Sequence, residues 1–258
     1  MKPVIAIDGH GCSGKGTMAR LLAQHFCFAH LDSGSFYRLF ACLKLAMAGD
    51  FFNSTYPDSG ISKIEDISNC LNLFGQCQWD DKSCDKNNFL IELLEEISVH
   101  DLLQAKETIP TGVLRSDIVG IEASIIAKIP EVRSILTKLI REFATSVGDE
   151  YKGSVVDGRD IGTVVFPDAN CKIFMTADQE IRAQRRLNDM PAGTTLKEVY
   201  DNLLERDDRD FSRKVAPLTF DSSYVLVDTT RETVEESFAR LVDIVNNSIA
   251  PSYSQVSR

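Results

Sequence analysis

The sequence predicts an α/β fold: a five-stranded parallel sheet flanked by helices. Three observations predict it. Five short, β-rich apolar runs, Val4–Ile7, Ala29–Asp32, Ser154–Asp157, Cys171–Thr176 and Tyr224–Asp228, read as buried strands. Helical periodicity follows most of them, and that alternation joins parallel strands through crossover helices. The chain has 258 residues and 43% hydrophobic content, enough for one large domain or for a core carrying an inserted lobe.

The first strand runs into Gly9-His10-Gly11-Cys12-Ser13-Gly14-Lys15-Gly16-Thr17, and a helical pattern covers Thr17–Phe26. A glycine-rich loop between a strand and a helix N-terminus is the setting of a phosphate-binding loop. Its glycines let successive backbone N–H groups converge on phosphate oxygens, and the helix end adds positive potential. Lys15 supplies a mobile charge for the β- and γ-phosphates of a nucleoside triphosphate. His10 reads as a loop residue only. After Lys15 stands Gly16, not the Ser or Thr that would ligate Mg²⁺, and Thr17 comes one position late. The Mg²⁺ of the triphosphate is then held mainly by phosphates and water, and no protein metal ligand is assigned.

The second strand leads into Leu31-Asp32-Ser33-Gly34-Ser35-Phe36-Tyr37-Arg38 at the sheet's carboxyl edge, where ligands of parallel sheets gather. Ser33 can bond a base or sugar and Arg38 can grip a phosphate. Alternatively, Asp32 and Ser33 cap the helix predicted over Phe36–Ala48 and Arg38 is a solvated charge. Between about Asp50 and Thr108 the sequence turns polar and rich in Asn, Asp and Ser, which predicts an inserted lobe. One amphipathic piece, Phe89–Leu103, interrupts it, with Phe89, Leu90, Leu93, Leu94 and Ile97 as a core-facing stripe. The helical period returns over Ile118–Phe143 and is broken at Pro130, predicting two helices that lead back to the core.

The third strand opens into Asp157-Gly158-Arg159-Asp160-Ile161-Gly162-Thr163, again at a carboxyl end. Two carboxylates and an arginine there suit a ligand site; the plainer reading is a turn with a surface ion pair between Asp157 and Arg159. Six arginines fall between Arg182 and Arg213 inside an acidic chain. Arg182, Arg185 and Arg186 share one face of the helix predicted over Gln179–Leu187. In Glu205-Arg206-Asp207-Asp208-Arg209-Asp210-Phe211-Ser212-Arg213, a helix would align Arg206, Asp210 and Arg213. Either these cations cage phosphates, or they lace a solvated helix with ion pairs. A last helix is predicted over Glu232–Ile249, and the tail after Pro251 reads as disordered.

The net charge is -10 and the pI about 4.9, so a nucleic-acid or anionic-membrane surface is disfavoured and any anion must be captured locally. Seven scattered cysteines with no Cys-x-x-Cys pair argue against a disulfide framework and for a reducing cytoplasm. Cys70, Cys77 and Cys84 recur every seven residues, which suits a metal or mere coincidence. No apolar run approaches a signal core or a membrane span.

Together the phosphate loop, the Leu31–Arg38 segment, Asp157–Ala169 and Glu205–Asp210 resemble the bacterial cytidylate (CMP) kinases, over residues 1–50 and about 110–245. The resemblance implies a P-loop kinase core at 1–50 and 110–258, a short lid at about 183–200 with Gly193 as a flexible point, and a nucleoside-monophosphate-binding lobe at 51–109. The implied reaction is ATP + (d)CMP giving ADP + (d)CDP. By resemblance Ser33, Arg115 and Asp160 recognise the base, while Arg38, Arg159 and Arg213 bind the acceptor phosphate. Arg206 and Asp210 contact the pentose, and Arg185 reaches the donor phosphates from the lid. Lys15, Arg159 and Arg185 then form the catalytic set, with Gly9, His10, Gly11, Cys12, Ser13, Gly14, Lys15, Gly16 and Thr17 around ATP. The expected partners are ATP and (d)CMP, with no nucleic acid and no membrane, and the chain is expected to be a monomer. A kinase for UMP or AMP differs only in base contacts, and a non-catalytic nucleotide switch would leave the acceptor-side arginines without a task.

Overall fold

The computed structural model describes residues 2–47, 91–92, 94–190 and 192–253. Five strands, β1 (Val4–Gly9), β2 (Ala29–Asp32), β3 (Ser154–Gly158), β4 (Cys171–Thr176) and β5 (Val225–Asp228), form one sheet in the order β2-β3-β1-β4-β5. Every pairing is parallel; Ile5 stands opposite Val155 on one side of β1 and opposite Cys171 on the other. Strands β1 and β3 are buried along their length, which is why β1 reads as the unbroken apolar run Val4–Ile7 and β3 carries Val155 and Val156. β5 lies on the edge, where Val225 and Leu226 are exposed. Tyr224, expected in this strand, precedes it and instead packs with Phe174 and Leu218.

The chain divides into two compact units, Met1–Asp32 with Arg141–Arg258, and Ser33–Ile140. In the first, α1 (Lys15–Phe26) and α9 (Val234–Tyr253) cover one sheet face. Met18 and Leu22 of α1 and Leu241 and Val245 of α9 close a core with Ile5, Ile7, Val155, Ile173 and Met175. The final helix continues to Tyr253, two residues into the tail expected to be disordered after Pro251; residues 254–258 lie outside the described residues. Also in this unit are α7 (Gln179–Leu187) and α8 (Leu196–Phe211), which pack together around Ala183, Val199 and Leu203. α8 starts at a capping box in which Thr195 and Glu198 satisfy each other's backbone N–H groups. It ends before Arg213, so the alignment expected of Arg206, Asp210 and Arg213 along one helix holds only for the first two.

The second unit is helical: α2 (Ser33–Met47), α3 (Val99–Thr108), the single turn α4 (Thr111–Leu114) and α5 (Asp117–Ile126), followed by the first part of α6 (Pro130–Thr145). α2 packs along α5, and Lys44 pairs with Glu122 at 2.7 Å. Pro130 stands in the first turn of α6, where its missing N–H costs nothing, so it starts the second of the two helices expected here. The amphipathic piece expected as one run is broken: residues 94–96 are helical, Ile97 and Ser98 are not, and Ser98 opens α3 through a capping box with Asp101. A serine that accepts the Asp101 N–H offers the backbone an end, and that local bond outweighs the apolar period. Leu94 and Ile97 of the expected stripe are buried. Phe89, Leu90, Leu93 and Cys70, Cys77 and Cys84 lie outside the described residues, as does the expected lobe up to residue 90. No helix among the described residues is long and apolar enough to cross a membrane.

Candidate active site

The phosphate loop begins where β1 ends at Gly9. That glycine has φ +147°, and a Cβ there would run into the carbonyl oxygen of Met175 on β4, so the sheet admits no other residue. Gly14 then caps α1 in the left-handed conformation, and the helix opens two residues earlier than the sequence suggested. Cys12, between them, also has positive φ, 60°, without a glycine's freedom.

The loop's carbonyl oxygens are held by side chains, three of them from outside the loop and one from within it. Arg159 Nη1 donates to Gly9 O at 2.5 Å, and Arg182 Nη1 donates to Gly11 O at 3.2 Å. Thr229 Oγ1 donates to Ser13 O at 3.0 Å. His10 O accepts Ser13 Oγ at 3.0 Å and Lys15 Nζ at 3.3 Å. His10 is more than a loop residue: its ring packs against Phe174 and Phe211, its Nδ1 meets Thr176 Oγ1 at 3.2 Å, and burial lowers its pKa.

Burial, reinforced by Arg159, pulls the Lys15 ammonium down to about 8, against the attraction of Asp157 and Asp32. Asp32 and Asp157 are register partners at the carboxyl ends of β2 and β3. Burial and the charge of Asp32 raise Asp157, whose Oδ1 lies 2.8 Å from His30 Nε2. Asp157 is buried and meets His30, so the reading of a surface ion pair with Arg159 does not describe it. A Cβ added at Gly16 would stand 3.8 Å from Asp157 Oδ2, so position 16 faces this carboxylate.

Arg159, with 12% of its side chain exposed, turns to α8, where Nε donates to Asp210 Oδ2 at 2.7 Å. Arg213, just past the helix, stands 3.5 Å from Asp210 Oδ1. Burial would push Asp210 up, but Arg159, Arg206 and Arg213 outweigh it and hold the carboxylate below its ordinary range. One carboxylate thus gathers three of the arginines singled out in the sequence. Arg185 is held by Thr229, through Oγ1 at 3.0 Å and the carbonyl at 2.7 Å.

The turn carrying Arg159 and Asp160 is pinned from beneath by Asp8, whose carboxylate accepts Ile161 N, Gly162 N and Tyr224 Oη, each at 2.8 Å. Burial drives Asp8 up to about 6 even though these three donors oppose it. The turn continues as one π-helical turn, Ile161–Val165, and Arg141 secures its last carbonyls at 2.8 and 2.9 Å. In the other unit, Ser33 opens α2 and is buried, while Arg38 Nη1 donates to Leu114 O at 2.8 Å. Arg115 follows Leu114 as the C-cap of α4, so the fold brings Arg38 and Arg115 to one corner.

A glycine-rich loop at the carboxyl edge of a parallel sheet in this strand order, with a lysine and several arginines converging there, defines a P-loop phosphotransferase. Comparison with other proteins narrows the class. The family model "Cytidylate kinase" matches residues 5–247. A cytidylate kinase of Rhodospirillum rubrum is 36% identical over 245 residues, covering 94% of this chain and 96% of that one. Those of Azorhizobium caulinodans and Neisseria meningitidis are 35% and 34% identical, over 95% and 93% of this chain and 98% and 95% of theirs. The chain belongs to the cytidylate kinase family.

Asp8, His30, Asp207 and Thr229 carry no mark in the sequence that points to the site, and Arg182 stands out there only as one of three arginines on a helix face. The charge density around Asp207 marks its stretch, not the residue. Nothing in the sequence paired His30 with Asp157, 127 residues away.

Proposed function

We propose that the protein transfers the γ-phosphoryl group of ATP to CMP or dCMP, giving ADP and (d)CDP. Family membership carries the reaction. The observation that carries the site is the convergence of Lys15, Arg159, Arg206, Asp210 and Arg213 where the phosphate loop meets α8. Transfer between two nucleotides brings like charges together, so cationic neutralisation and in-line placement matter more than proton abstraction. An acceptor phosphate is already anionic and needs no general base.

Lys15 takes the β- and γ-phosphates, with the loop residues Gly9 to Thr17 around them. Arg159 links the two sides: it touches the donor loop at Gly9 and the acceptor carboxylate Asp210, and it meets the moving phosphoryl group with Arg185. On the acceptor side, Arg38, Arg159 and Arg213 hold the phosphate. Arg206 and Asp210 hold the pentose, for which Asp210, kept ionised by its arginines, is an acceptor of hydroxyl hydrogen bonds. Ser33, Arg115 and Asp160 read the base. Mg²⁺ enters with ATP, bound mainly by its phosphates and water, and Asp157, facing position 16, adds negative charge on that side. The chain works as a cytoplasmic monomer, its acidic surface leaving nucleic acid alone.

A panel of nucleoside monophosphates in an ADP-release assay tests the acceptor. CMP and dCMP are expected to give the highest kcat/KM, and a preference for AMP or UMP would overturn the assignment.

A further inference from the structure

In a planar trans peptide the C=O of one residue and the N–H of the next point in opposite directions. Side chains hold the carbonyls of Gly9, His10, Gly11 and Ser13 toward the protein. The N–H groups of residues 10, 11, 12 and 14 are thereby turned the other way, as an anion-binding loop requires. Of the donors to these carbonyls, Arg159 and Lys15 also have work on the phosphates. Arg182 has none.

Arg182 is 4% exposed on α7, and three acceptors occupy it. Its Nε donates to Ala177 O at 2.9 Å, and its Nη1 is shared between Gly11 O at 3.2 Å and Asp207 Oδ2 at 2.6 Å. Asp207 Oδ1 is buried with no hydrogen-bond partner among the described residues, so the carboxylate's hydrogen-bonded compensation comes from Arg182, while Arg159 also feels its charge. The peptide after the Gly11 carbonyl belongs to Cys12, whose left-handed backbone persists only where its surroundings hold it. Asp207 and Asp210 stand one turn apart on α8. Asp210 backs Arg159 on Gly9 as Asp207 backs Arg182 on Gly11, so one helix sets two loop carbonyls through two arginines.

We infer that Arg182, backed by Asp207, is a positioning residue for phosphoryl transfer: it fixes the Gly11–Cys12 peptide so that the Cys12 N–H faces the donor phosphates. The inference rests on the reading of this loop as the donor site. It is tested in the full chain with Arg182→Lys, Asp207→Asn and the double variant. Thermal midpoints, equilibrium ATP titration, and kinetics with ATP and CMP varied separately are the readouts.

Arg182→Lys keeps the charge but loses the fork, and kcat is expected to fall about 10- to 100-fold, with ATP binding weakened about 10-fold and KM for CMP within about twofold. The double variant should lose no more than the worse single one, since both act through one carbonyl. Folded single variants with ATP affinity and kcat within about twofold of the parent would overturn the inference. So would losses that fall equally on ATP and CMP and follow the thermal midpoint, as a merely structural pair would give. Should the lysine variant not fold, the isosteric Asp207→Asn carries the same comparison. A parent chain that binds ATP but phosphorylates no monophosphate sinks the kinase reading, while the ATP titration still decides this one.

Discussion

Lys15 is placed where the folded chain has most to gain from an anion. Its ammonium is buried among arginines, and its pKa falls from 10.5 to about 8, so below pH 8 the fold carries a charge it does not favour. For a group depressed on folding, the stability contribution is present above the unfolded value of 10.5 and lost as pH falls through about 8. Replacing the lysine therefore relieves a cost at neutral pH. Lys15→Met is expected to lower kcat/KM at least about 100-fold while raising the thermal midpoint at pH 7 by about 2–4 °C. The gain should shrink between pH 8 and 10.5, where the parent loses its strain. Calorimetry across pH checks the sign: a midpoint that drops at pH 7, or a gain that grows with pH, would contradict it. Gly9 is the opposite case, a residue fixed by geometry. Gly9→Ala must push its Cβ against Met175 O at a positive φ, and a loss of more than about 2 kcal/mol in urea unfolding is expected.

Among the elements, α8 does the most for the site. It carries Arg206, Asp207 and Asp210 and is started by the Thr195–Glu198 capping box. Thr195→Ala removes the acceptor for the Glu198 N–H and is expected to cost about 1 kcal/mol in urea unfolding, with the reactive residues untouched. No loss at all would show that tertiary packing alone sets this end. The sequence made some elements plain and hid others for physical reasons. The central strand Val4–Gly9 is buried along its length and so leaves the continuous apolar run Val4–Ile7. Pro130 marks a helix start because only there does a missing N–H go unnoticed. The π-helical turn at Ile161–Val165 has no such mark: it exists because Asp8 and Arg141, 153 and 23 residues away in the chain, hold its two ends. Arg213 joins Asp210 from outside the helix that its spacing suggested. A spacing rule records what one helix can align, and here the chain turns and the charges choose their partners.

For the whole molecule, the charge of -10 required that anions be captured locally, and the structure concentrates arginines around one buried carboxylate. Three of the motifs were legible because they lie at the carboxyl ends of strands β1, β2 and β3, and the fourth, Glu205–Asp210, because its charges crowd one helix. What held them was not, since Arg159 meets Gly9 across 150 residues and Thr229 meets Ser13 across 216. Such pairs leave no local pattern, and only the strand order β2-β3-β1-β4-β5 brings them together. The central claim is that this loop hands a phosphoryl group from ATP to CMP. Incubating γ-phosphate-labelled ATP with CMP tests it most directly. The label should appear in CDP with the parent chain and fall at least about 100-fold with Lys15→Met. Label released as inorganic phosphate, or labelled CDP formed undiminished by the variant, would contradict it.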